Sequence, residues 1–176
     1  MPERGQTGWV QIEGTRTSRA SLVPVLSRPL GYDTAAANVL MAYHAPVGHE
    51  IMMAEDIIRL DFLFVVEMRF LAFGTFPPHV DERERPYFAL SVTDESDLKT
   101  EFLEAFPDHE DMFARTDPAD AIRHFEIVFD NFGSYDILAK DCAVRTVHEP
   151  TARTSLAVLE AALSLGEPQW GAADRT

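Results

Sequence analysis

Ile58-Arg59-Leu60-Asp61-Phe62-Leu63-Phe64-Val65-Val66-Glu67-Met68-Arg69-Phe70-Leu71-Ala72-Phe73 is apolar at every even position from Ile58 to Ala72, and its odd positions include Arg59, Asp61, Glu67 and Arg69. Successive residues of a strand point to opposite faces, so the alternation predicts a β-strand with one buried face. A helix ending at Gly74, ahead of Pro77-Pro78, competes with it, because those residues are stop signals and Glu50, Glu55 and Asp56 suit a helix start. On a helical wheel the four charges scatter to every side, which favours the strand. At about 3.3 Å per residue a run this long must bend to stay within a small domain. A short helix over Gly48 to Asp56 is expected to lead into it. The same charges exclude a membrane span, since they would sit in hydrocarbon.

Downstream, Pro86 to Thr93 reads as a second strand stopped by Asp94, and a helix follows with Leu98, Phe102, Leu103 and Phe106 on one stripe. Asp117-Pro118 forms a helix start, and Ile122, Phe125, Val128, Phe129 and Phe132 recur at helical spacing until Gly133. Cys142, Val144, Thr146 and His148 alternate as a further strand ended by Pro150, and Thr154 to Leu165 makes a last helix stopped by Gly166. Trp9 to Ile12 adds an edge strand, and Thr15 to Gly31 is a long surface connection. This order lacks the regular alternation of a doubly wound sheet. The expected fold is α+β: one domain over residues 8–166, with a mainly antiparallel, strongly bent sheet packed with several helices. Residues 1–7 and 167–176 read as flexible ends, although Trp170 is unusual in such a tail.

The chain has 176 residues, enough for one domain, and its 46% of hydrophobic residues can build a core. Lys and Arg number 15 against 29 Asp and Glu, a formal charge of −14 that argues against a polyphosphate-binding surface and so against nucleic acid as a partner. One cysteine, Cys142, cannot form an intramolecular disulfide, which fits a reducing cytoplasm. The first residues, Met1-Pro2-Glu3-Arg4-Gly5-Gln6, lack the apolar run of a secretory signal.

No phosphate-cradling glycine loop, dinucleotide fingerprint, nucleophile elbow or His-Glu-x-x-His is present, so no cofactor is expected. Cys142, between Asp141 and Ala143 on a strand, reads as a small buried hydrophobe rather than a nucleophile. His44 and His49 are five apart, and His79 lies near Asp81, Glu82 and Glu84; neither spacing presets two imidazoles on one ion, so no metal site is expected. His109 and His124 read as solvated. Glu67 and Arg69 share a strand face in apolar surroundings, where they either pair structurally or face a pocket, Arg69 then gripping a substrate carboxylate. Glu95, in the turn after a strand, is either an anion held by the first amides of a helix or an acid in an apolar cleft lined by Phe64, Phe73 or Tyr87, kept neutral there by desolvation.

The order Arg69, His79, Glu95 resembles the arginine, histidine, glutamate set of the small homodimeric bacterial Pictet-Spengler cyclases, which form β-carbolines from tryptophan and an aldehyde. The resemblance covers residues 69–95. It implies that Glu95 carries acid/base work in imine formation and ring closure, that His79 assists and that Arg69 binds the amino acid carboxylate. With Glu67, Phe73 and Tyr87 as further substrate contacts, the expectation is a homodimeric, cytoplasmic enzyme condensing a tryptophan-like amine with an aldehyde in specialised metabolism. The alternative is a non-catalytic homodimer that binds a small molecule or another protein, Glu67 and Arg69 being a structural pair.

Overall fold

In a computed structural model, residues 9–17, 23–31, 36–45, 56–72, 89–109, 121–129 and 133–170 are described. In chain order they form β1 (Val10–Gln11), β2 (Val25–Pro29), β3 (Ala37–His44), β4 (Asp56–Val65), β5 (Glu67–Ala72), β6 (Leu90–Thr93), α1 (Asp97–Ala105), β7 (Arg123–Phe129), β8 (Gly133–Ala139), β9 (Asp141–His148) and α2 (Ser155–Leu163). A short 3-10 turn over Pro107–His109 follows α1.

From Ile58 to Ala72 the alternating run is strand on either side of a single bend at Val66. Ile58, Leu60 and Phe62 of β4 enter the core, while Arg59 and Asp61 take the opposite face. At Phe64 the register slips, so that Leu63 and Phe64 together stand opposite Asn38. Phe64 adopts φ 57°, a left-handed conformation uncommon outside glycine. The Oδ1 of Asn38 accepts the Phe64 amide at 3.1 Å and holds this bulge. The partner strand turns at the same level: Lys140 N donates to Leu63 O and Val66 N to Leu138 O, each at 2.9 Å. A long two-stranded ribbon is thereby folded over, β4 with β9 in one sheet and β5 with β8 in another.

The first sheet has the order β2-β3-β4-β9 and the second β1-β6-β7-β8-β5, with every neighbouring pair antiparallel. Their inner faces meet in one core, where Met41, Tyr43, Leu60 and Phe62 oppose Leu90, Phe125, Ile127 and Ile137. Edge-on ring contacts cross this core, Tyr43 to Phe129 at 5.3 Å and Phe62 to Phe125 at 5.6 Å. Each buried aliphatic side chain of this kind contributes about 1.5–3 kcal/mol relative to exposure. The segment after β1 is tied across by hydroxyls: Tyr43 donates to Thr15 O at 2.6 Å and Thr17 to Val128 O at 2.8 Å. The helices cover the outer faces. Val158 and Ala162 of α2 pack on Leu40, Ala42 and Ile57 of the first sheet, and Leu98 and Phe102 of α1 pack on Ile122 and Leu138 of the second. Ser96 and Thr154 cap α1 and α2 by accepting the Lys99 and Ala157 amides, both at 3.2 Å.

The expected α+β packing with several helices is overturned: the described residues are mostly β, two antiparallel sheets carrying, among those residues, two short α-helices. The largest correction falls on the helix expected over residues 117–133: Arg123–Phe129 form β7, while residues 117–120 and 130–132 lie outside the described residues. Phe125, Ile127 and Phe129 point inward at period two, and the intervening His124, Glu126 and Val128 are buried on the other face. Burial on both sides put apolar residues on both strand faces, and Ile122, Phe125, Val128 and Phe129 then mimic helical spacing. Val25 to Pro29, expected within a surface connection, is the exposed edge strand of the first sheet. Strands β3 and β8 had no counterpart in the expectation. The helix over Gly48 to Asp56 falls outside the described residues except for Asp56, which begins β4.

Candidate polar site on the second sheet

Glu67 and Arg69 lie on the outer face of β5, side by side as the two-residue spacing requires. Arg69 Nε donates to Glu67 Oε1 at 2.5 Å, and Nη1 donates to Glu101 Oε2 of α1 at 2.8 Å. Hydrogen bonds donated to Glu101 and Glu67 stabilise the guanidinium charge and push its pKa further up. Arg69 is thus a tie between sheet and helix with both edges of its fork engaged. Glu95 is exposed, its backbone looped on Thr93, whose Oγ1 donates to Glu95 O at 3.0 Å. No hydrogen bond or ion pair joins Glu95 to Arg69 among the described residues. His79, Phe73 and Tyr87 lie outside those residues, as does His49.

The register that sets Arg69 opposite Asp136 continues across the sheet, Asp136 opposite Glu126 and Glu126 opposite Ser91. Thr93 stands opposite His124 in the next row, and Ser134 lies two residues from Asp136 on β8. All of these side chains share the outer face because each inner neighbour belongs to the core. Ser91, Thr93, His124, Glu126, Ser134 and Asp136 are all buried. His124 Nε2 lies 3.0 Å from Asp136 Oδ1, and the Trp9 ring meets the imidazole edge-on at 4.9 Å.

Three buried polar atoms of this face, Ser91 Oγ, Ser134 Oγ and His124 Nδ1, have no hydrogen-bond partner among the described residues. A buried polar group left unsatisfied costs about 1–3 kcal/mol, so three on one patch concentrate that cost on this face. Asp136 fixes the imidazole through one nitrogen and leaves the other to take or give a proton. That arrangement has the chemistry of an acid/base pair. Assigning residues 117–133 to a helix hid it, because a helix separates His124 from Ser91 and Asp136. The signal was present as Arg123-His124-Phe125-Glu126-Ile127 and Ser134-Tyr135-Asp136-Ile137, two polar-apolar alternations of period two.

The outer face of the first sheet holds a different buried network. Arg59 Nε donates to both Asp61 oxygens at 2.9 and 2.8 Å, and its Nη1 donates to Ala162 O at 2.8 Å. Arg145 Nη2 adds a bond to Asp61 Oδ2 at 2.9 Å, while Arg145 also donates to Leu165 O and Gly166 O, each at 3.0 Å. Two guanidiniums therefore meet the carbonyl end of α2, where the helix dipole favours cations, and the single Asp61 carboxylate accepts from both. His44 Nε2 lies 2.8 Å from Ala152 O, beneath the same helix. Cys142 packs against the core, and burial, with Asp141 and Asp61 nearby, pushes its thiol well up from the ordinary range. A thiol so protonated is a poor nucleophile.

Among the described residues no group of three or more His, Cys, Asp or Glu side chains is placed to hold a metal ion, and no helix is long and apolar enough to cross a membrane. In comparisons with known protein families, with curated proteins and with solved structures, nothing matches this chain.

Proposed function

We propose that this protein is an acid/base enzyme acting on a small polar organic molecule at the outer face of the second sheet. His124 carries the proton and Asp136 orients it. The observation behind this reading is the buried His124–Asp136 pair, 3.0 Å apart, beside Ser91, Ser134 and a His124 nitrogen that have no partners among the described residues. A purely structural cluster gains nothing from leaving such groups unpaired.

The reaction to try first is the Pictet-Spengler-type condensation of a tryptophan-like amine with an aldehyde that the family resemblance implies, with His124 taking the proton role the resemblance gives to Glu95. Imine formation needs a proton delivered to the departing hydroxyl of the carbinolamine, and ring closure ends with a proton withdrawn from the ring carbon. A histidine with one free nitrogen serves both steps in turn. On this reading the enzyme works in the reducing cytoplasm, where Cys142 stays a thiol.

The test is to incubate the protein with tryptophan or tryptamine and a panel of aldehydes, reading product by mass spectrometry. The parent is expected to form product, His124→Gln to lose about 100-fold or more in kcat, and Glu95→Gln to keep it. Loss in Glu95→Gln with retention in His124→Gln assigns the proton to Glu95 and overturns the histidine reading. No product from any pair overturns the condensation.

A further inference from the structure

On the outer face of the first sheet a small depression of about 90 Å³ lies between the sheet and the segment that follows α2. Its polar wall is Arg28 of β2, Asn38 of β3, and Arg59 and Asp61 of β4; Leu26, Leu163, Pro168 and Trp170 supply an apolar wall. Trp170 belongs to the stretch expected to be a flexible tail, yet its side chain is half-buried here.

Donors outnumber acceptors in this hollow. Arg28 forms no hydrogen bond or ion pair among the described residues. Arg59, 3% exposed, uses its Nε and one bond from each terminal nitrogen on Asp61 and Ala162, so each terminal nitrogen keeps one further N–H. The Oδ1 of Asn38 is taken by the Phe64 amide, which fixes the side chain with its amide nitrogen left to donate. Both Asp61 oxygens are already engaged by Arg59 and Arg145. Glu167, the other acid of the lining, is exposed. Two guanidiniums and an amide therefore converge beside an indole in a chain that is strongly acidic as a whole.

We propose that this hollow binds a small carboxylate with an apolar or aromatic body. Arg28 takes the carboxylate in a charge-assisted bond, with Asn38 and the spare Arg59 hydrogens behind it, and the body lies against Trp170 and Leu26. The hollow admits the carboxylate end and a short body, not a large metabolite. The site is on the sheet opposite the one that carries His124, so it stands or falls independently of the acid/base reading.

The experiment titrates phenylacetate, phenylacetamide and phenethylamine into the full-length protein. It follows the indole N–H resonance of Trp170, assigned by its disappearance in Trp170→Phe, together with calorimetry. Phenylacetate is expected to shift that resonance and to bind at least about tenfold more tightly than its neutral amide or the amine. Arg28→Ala is expected to lose about tenfold in phenylacetate affinity with an unchanged melting temperature, since Arg28 is exposed and unpaired among the described residues. Equal binding of acid and amide, an Arg28→Ala variant that binds as the parent does, or no binding up to millimolar phenylacetate overturns the proposal.

Discussion

Single residues carry much of what is specific about this molecule, and Gly133 shows how narrow the tolerance is. It opens β8 at φ 129°, opposite Ala72 at the end of β5. A Cβ built there would lie 1.9 Å from Leu71 O, which is backbone and cannot swing away. Gly133→Ala must therefore both adopt a strained φ and push two strands apart. It is expected to destabilise the fold by more than about 1 kcal/mol, read as a lowered urea midpoint with an unchanged slope. A midpoint equal to the parent's would show that the strand pair yields more easily than this contact implies. The glycine was visible in the sequence, but as a helix stop. Its actual role depends on a strand some 60 residues away, and local pattern holds no information on that pairing.

At the scale of elements, legibility followed exposure. The run 58–73 could be read because its two faces differ, apolar on one and charged on the other in β4 and β5, and strand β9 was readable for the same reason. Helices α1 and α2 carried caps and stop signals that act locally. Strand β7 was hidden instead, because Ile122, Phe125, Val128 and Phe129 also fit helical spacing and compete with the His124, Phe125, Glu126, Ile127 alternation. That one misreading also concealed the candidate site: Glu67 and Arg69 were legible as neighbours, whereas the His124–Asp136 pair exists only once β7 and β8 are paired.

The bend between β4 and β5 rests on Asn38, whose side chain replaces a backbone partner for the Phe64 amide. Asn38→Ala leaves that N–H without its acceptor next to a left-handed phenylalanine, and a loss of about 1 kcal/mol in chemical denaturation is expected. Retained stability would mean that packing of Phe64 on the α1 side holds the bulge unaided.

Across the whole molecule, the two sheets close on a core that includes hydroxyl and thiol groups, and this sets how the fold responds to alkali. Burial, then Cys142 nearby, pushes the Tyr43 phenol well above its ordinary 10.0; burial also raises Tyr135, and Cys142 lies well above its ordinary 9.0. Each of these groups is neutral when protonated, so a raised value means that the folded state holds its proton more tightly than the unfolded chain does. Below pH 9 both states are protonated there and the groups add no pH dependence. Above pH 9 the unfolded thiol ionises first, and above pH 10 the unfolded phenols follow, while the folded groups remain neutral; stability falls by up to about 1.4 kcal/mol per pH unit for each group until its folded value is passed. Urea midpoints measured from pH 8 to pH 11 are therefore expected to be level at first and to decline from pH 9. Cys142→Ala should flatten the first part of that decline, because it removes the group that titrates earliest. Parent and variant declining in parallel between pH 9 and 10 would place the thiol outside the linked set and leave the alkaline weakness to the phenols.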